Sequence, residues 1–223
     1  MERTMKSSRH HMVDLIGVVS LLFALVIMFP SLITWARDFP LPLRILVDLS
    51  PYIVSIGAIA GLCAIRRVPL ARGFGFSADD LGRQATIALV IFAVTISFVV
   101  VPVLIGIDAV GEPETRTFQF IYQIVKAMTF VGLDEELIWR GYVLAKASLA
   151  FDSAPAGIIV SSMLFGLWHY PFGQDLFQVV GTALLGLLYA LARYRLKQCS
   201  TLATGIAHGL HNTVILVIAR LLA

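Results

Sequence analysis

The sequence predicts an all-α fold: a polytopic transmembrane helical bundle of about seven spans plus one interfacial or re-entrant helix. Three observations carry this. Of the 223 residues 58% are apolar and only 14% are charged, where a soluble domain carries roughly 25% charged residues. The apolar residues gather in runs near the ~20 needed to cross a bilayer as a helix. Arg and Lys collect between those runs, the pattern of the positive-inside rule, which accounts for the small net charge of +3 without a nucleic-acid partner.

The elements follow in order. Arg3, Lys6 and Arg9 precede an apolar run over about 13–36. It is too long for a signal-peptide core and no small-x-small cleavage site follows, so it reads as an uncleaved first span with its N-terminus in the cytoplasm. Pro30 is expected to kink that span or mark its end. A loop with Arg37, Asp38, Pro40, Pro42 and Arg44 leads to a second span over about 46–65, where Gly57-x-x-x-Gly61 would permit close helix contact. Arg66, Arg67, Arg72 and Arg83 crowd the next loop, the strongest cytoplasmic mark in the chain. The third span covers about 85–107, and the acidic loop with Asp108, Glu112 and Glu114 follows on the opposite side.

From Thr117 to about Phe151 there is no proline. At 1.5 Å per residue that stretch is ~50 Å long, more than one crossing needs. It is expected to divide at Gly132 into an interfacial or re-entrant helix over 117–130 and a true span from 131. Pro155 opens the next element, which runs to Tyr170; further spans cover about 175–194 and 202–223, with Arg193, Arg195 and Lys197 between them. Counted this way, both basic loops and the N-terminus share a side. No repeat or second domain is visible, so residues 1–223 read as a single integral membrane domain. Cys63 and Cys199 form no CxxC, and neither a disulfide framework nor a cysteine metal site is indicated.

The chemistry concentrates in Asp134, Glu135, Glu136, Leu137, Ile138, Trp139 and Arg140. A charge inside a span costs about 2.5–3.5 kcal/mol on insertion scales, so these groups should face protein or a wet cavity and find partners. Glu136 and Arg140 are four apart, on one helical face. Glu135 is turned about 100° away and lacks that local partner. Catalytic chemistry and a structural salt-bridge knot are both open from this stretch alone.

Two further polar pairs lie in apolar helices. Phe165-x-x-x-His169 stands at a helix end, with Phe165 the packing member, and His208-x-x-x-Asn212 with His211 beside it lies in the last span. Singly, each reads as an interfacial histidine or an interhelical hydrogen bond, the latter worth only about 0.6–2 kcal/mol. Together they form an acid–base hydrolytic set: a Glu or neutral His to take a proton from water, and His and Asn donors for an oxyanion. Ser161 and Ser162 have no paired base four residues away, which favours water over a side-chain nucleophile. Glu and His can also hold zinc, but there is no His-Glu-x-x-His and no cofactor is required by spacing.

In that order, Glu135-Glu136-x-x-x-Arg140, Phe165-x-x-x-His169 and His208-x-x-x-Asn212 resemble the CAAX protease and bacteriocin-processing (CPBP, or Abi) family of intramembrane endopeptidases, which includes the type II CAAX prenyl endopeptidases. The resemblance covers about 117–223, the motif-bearing catalytic core. It implies that Glu135 and His169 activate water, that His208 and Asn212 stabilise the oxyanion, and that Glu136 and Arg140 hold the glutamate helix. It favours a metal-free glutamate-type site, with zinc the alternative. His211 is extra to the motif and is expected to play a supporting role. The implied partners are the bilayer and a membrane-associated peptide or protein, lipidated or not, in what the chain's small size suggests is a prokaryotic cell membrane. The alternatives are a non-proteolytic immunity or scaffold protein of the same fold, or a proton-coupled transporter, although the repeated halves usual in transporters are not visible.

Overall fold

Every described element is helical, and several helices begin where the sequence supplies a capping side chain or a proline. The computed structural model describes residues 2–106, 110–173 and 175–223, with side chains from Arg9 onward apart from those of Phe172 and Gly173. Ile107 and Asp108, read above as the end of the third span and part of the acidic loop, lie outside the described residues, as do the side chains of Arg3 and Lys6. In chain order the helices are α1 (Glu2–Ala36), α2 (Leu41–Ile65), α3 (Leu81–Leu104), α4 (117–150), α5 (Ala154–Trp168), α6 (Leu176–Arg195) and α7 (Thr201–Leu222), with single turns at Leu70–Gly73 and Tyr170–Gly173.

The first amides of a helix have no partner within it, and a short oxygen-bearing side chain can satisfy one of them. Asp80 accepts from the Arg83 amide at 3.1 Å to open α3. Ser153 accepts from the Ala156 amide at 3.3 Å, with Pro155 in the first turn of α5. Ser200 accepts from the Leu202 amide at 3.2 Å at the start of α7. Pro30 does not end α1, which continues to Ala36; the Thr34 hydroxyl donates to the Pro30 carbonyl at 2.9 Å.

Five helices are long and apolar enough to cross a membrane: Arg9–Ala36, Leu41–Ile65, Leu81–Leu104, Leu176–Arg195 and Thr201–Leu222. Their outward side chains are apolar, Phe98 and Phe177 among them, a surface suited to lipid rather than water. The chain is an integral membrane protein. The expected count of about seven drew also on 155–170 and 131–151. The first is α5, whose 15 residues reach about 22 Å against a hydrocarbon core of ~30 Å. The second lies within α4, and Gly132 is not a joint there. The chain stays helical through it, with wide π turns over Ala127–Asp134 and Leu137–Val143. Such turns bond i→i+5 and often occur at functional positions.

The chain divides into two compact units, Met1–Gly75 with Ile138–Leu191 and Phe76–Leu137 with Ala192–Ala223. In the first, α1 and α2 form a hairpin. At its open end the buried Asp14 carboxylate accepts from Arg66 at 2.7 and 3.2 Å and from Lys146 at 2.7 Å, joining three helices. The Ser161 hydroxyl donates to the Trp139 carbonyl at 2.7 Å, and Trp168 Nε1 donates to the Leu22 carbonyl at 3.2 Å. These bonds tie α5 to its neighbours through backbone acceptors, where membrane packing favours small residues and buried polar contacts.

In the second unit α3 and α7 begin side by side. Gln84 Nε2 donates to the Gln198 carbonyl at 2.6 Å, and its Oε1 accepts from the Ser200 amide at 3.2 Å. The first π turn of α4 then packs on α7 almost backbone to backbone. A Cβ on Gly132 would stand 2.5 Å from the Gly209 nitrogen and 2.7 Å from the Gly205 carbonyl oxygen. By contrast, Gly57 and Gly61 have nothing within 4 Å of where a Cβ would stand among the described residues. The close approach expected at 57–61 is made at Gly205-x-x-x-Gly209 instead, because the latter spacing faces another glycine.

Candidate active site

The second unit holds Glu135, Glu136, His208 and Asn212. The glycine contact lets α4 and α7 approach closely enough for polar side chains one turn further on to meet. His208 Nδ1 lies 3.1 Å from Glu136 Oε1, with both residues buried. A carboxylate only accepts, so Nδ1 carries the proton, and Nε2 is the lone-pair atom of the neutral ring. Asn212 follows His208 by one turn of α7 and is half-buried. Glu135 is 3% exposed, beside the fully buried Glu136. Two adjacent carboxylates this deep in an apolar protein are costly unless a site requires them.

The first unit holds Arg140 and His169. His169 Nδ1 lies 2.8 Å from the Phe165 carbonyl oxygen. That oxygen can only accept, so this histidine too spends its Nδ1 proton on a fixed partner and keeps its lone pair on Nε2. Its ring is held edge-on by Phe165 and Trp168, at 4.6 and 5.2 Å between centroids. Phe165 therefore has the packing role read from the sequence, and it also carries Arg140. The Arg140 guanidinium carbon stands 4.0 Å over the Phe165 ring and 5.3 Å from the centre of the Tyr189 ring, within the range of cation–π attraction. Gly186 leaves room for it, since a Cβ there would stand 3.0 Å from Arg140 Nη2.

Sequence reasoning missed several of these supports. Gly132, Gly205 and Gly209 set the α4–α7 spacing, Gly186 and Tyr189 receive Arg140, and Trp168 clamps His169. Only the glycines carried a readable signal, the four-residue spacing at 205–209. His211 is buried, and its Nδ1 has no hydrogen-bond partner among the described residues. Taking each unit by itself, no three His, Cys, Asp or Glu side chains group among the described residues as ligands of a metal ion would. The residues present thus do not match a zinc site of the usual four-ligand kind.

The helices and buried acid–base residues define an integral membrane protein with hydrolytic chemistry within reach. Residues 117–214, somewhat under half the chain, match the family model described as Rce1-like, Type II CAAX prenyl endopeptidase Rce1-like. The matched segment contains every motif residue named above, and it points to a membrane protease of the CAAX type. No curated protein and no solved structure matches the chain.

Proposed function

We propose that this protein is an intramembrane endopeptidase that hydrolyses a peptide bond of a membrane-associated peptide or protein, with lipidated CAAX-type substrates included. The observation that carries the reading is the coincidence of the family match over 117–214 with a buried Glu136–His208 pair held at 3.1 Å. Ionisable groups inside a membrane are functional by default, and the match selects hydrolysis among their uses.

In this reading Glu135 and His169 take the proton of a water molecule as its oxygen attacks the amide carbon. A positioned base of this kind contributes about 10²–10⁴-fold. The carbonyl oxygen becomes an oxyanion facing His208 and Asn212; loss of one such donor costs about 10²–10³ in rate. The proton then passes to the leaving nitrogen as the C–N bond breaks, giving a carboxylate and a free amine. The Nδ1 contacts of both histidines support it, because each fixes the ring and keeps Nε2 as the lone-pair atom. The reaction is written with side chains and water alone. One zinc per chain in the purified protein would replace that form of it.

The test is cleavage of quenched peptides by the detergent-purified protein and by Glu135→Ala. The expected result is turnover by the first and loss in the second. Equal cleavage by both would remove Glu135 from the reaction, and no cleavage by either would favour a binding or scaffold role. The orientation we propose, with the N-terminus and both basic loops in the cytoplasm, is read by reporter fusions after residues 9, 67 and 197.

A further inference from the structure

We propose that the Asp14–Arg66–Lys146 node of the first unit binds the phosphate of an anionic phospholipid headgroup. Three features of the node point to an anion. Two cations share one carboxylate, since Arg66 and Lys146 both donate to Asp14, so the cluster carries one positive charge in excess. Its remaining polar capacity is nearly all donor: ammonium and guanidinium groups have no acceptors. The Tyr142 hydroxyl is buried without a hydrogen-bond partner among the described residues. Tyr142 itself is 2% exposed, with Lys146 Nζ 5.2 Å from its ring centre. It lies within electrostatic reach of Asp14 and Arg66.

The position selects a lipid. Arg66 caps the C-terminal end of α2, immediately after its apolar run. Asp14 sits five residues into the apolar α1 span that begins at Arg9. The node is therefore level with the boundary where hydrocarbon meets headgroups. The Arg66 side chain is 37% exposed and the Lys146 side chain 13%, which leaves one open approach from that boundary. Arg67 and Arg72 are exposed on the same loop. Basic clusters at this level of a membrane attract anionic lipid, at ~1 kcal/mol per cation. Phosphate oxygens accept from guanidinium in paired fashion and from a phenol singly, the donors present here.

Native mass spectrometry of the full chain in mild detergent tests this, with phosphatidylglycerol, phosphatidylcholine and inorganic phosphate as probes. The wild type is expected to retain one phosphatidylglycerol, with about tenfold preference over phosphatidylcholine, equivalent to ~1.4 kcal/mol. Arg66→Gln is expected to abolish the preference. Tyr142→Phe removes only a hydroxyl and keeps the ring; it is expected to reduce retention several-fold, and it reads the site where Arg66→Gln disturbs the fold. Equal retention of both lipids by the wild type would overturn the proposal, as would an unchanged preference in Tyr142→Phe. Displacement of the lipid by millimolar inorganic phosphate would show a free-anion site and overturn the lipid assignment.

Discussion

His208 on α7 and Glu136 on α4 are 72 positions apart in the chain and 3.1 Å apart in space, with the imidazole Nδ1 facing the carboxylate. A charge-assisted bond of this kind is roughly twice as strong as a neutral one and fixes the ring's tautomer. Glu136→Gln keeps the shape and an acceptor but loses the charge. Peptide cleavage is expected to fall by about 10²-fold, in kcat rather than KM, because the substrate does not need this pair in order to bind. Steady-state kinetics on a quenched peptide checks it, and an unchanged kcat would make the pair purely structural.

The glycine contact separates two alanine substitutions that look alike in sequence. Gly132→Ala would push a methyl to 2.5 Å from backbone of Gly209. Overpacking of this kind costs about 1–3 kcal/mol, and it would part α4 from α7 where Glu136 meets His208. Gly57→Ala meets nothing within 4 Å and should be neutral or stabilising by up to about 1 kcal/mol, the helix-propensity difference. Thermal unfolding in detergent ranks the two. Equal midpoints would mean that the α4–α7 approach is not tight.

Asp14 is expected to be the most sensitive acidic position outside the motif stretch. Asp14→Asn leaves Arg66 and Lys146 without their shared carboxylate. Lys146 is mostly buried, and breaking a buried pair by removing one partner costs about 3–5 kcal/mol. Removing Lys146 as well, in Asp14→Asn with Lys146→Met, should recover part of the loss. A double-mutant cycle on unfolding reads that recovery, and strictly additive effects would rule out the coupling.

Cys199, between α6 and α7, has its thiol pushed up to about 11 from an ordinary 9.0, chiefly by burial, with the nearby Arg193 opposing. The folded protein therefore holds this proton more tightly than the unfolded chain. The stability associated with it is fully present below pH 9 and declines as pH rises through 11, because the unfolded state loses its proton first. Maleimide labelling at pH 8 should accordingly be slow for Cys199 in the folded protein and fast after denaturation. Fast labelling without denaturant would contradict the burial.

The parts of this fold legible in the sequence are those that rest on short periods. Apolar runs gave the helices. Four-residue spacing gave Glu136 with Arg140, Phe165 with His169, and His208 with Asn212, since one helical turn is enough to show a face. Asp14 was not legible. One acid at the edge of an apolar run looks like a boundary residue, and its partners lie 52 and 132 positions away. The π turns of α4 were also hidden, because over seven or eight residues an apolar pattern fits the wide turn and the ordinary one equally well. The missing proline in 117–151 spoke for continuity; the length alone suggested a break at Gly132, and the length proved the weaker guide.

The wide turns carry a consequence for insertions and deletions in this protein. A helix takes in a π turn when it holds one residue more than its regular ladder can pair. Loss of Leu133 would let Ala127–Asp134 close into ordinary turns. It would also rotate the C-terminal remainder of α4 by about 100°, the step of one residue. Gly132 would keep its seat on Gly209, while Glu136 would swing away from His208. A one-residue deletion here, unlike one in a loop, would disconnect the carboxylate from its histidine while leaving the helix intact.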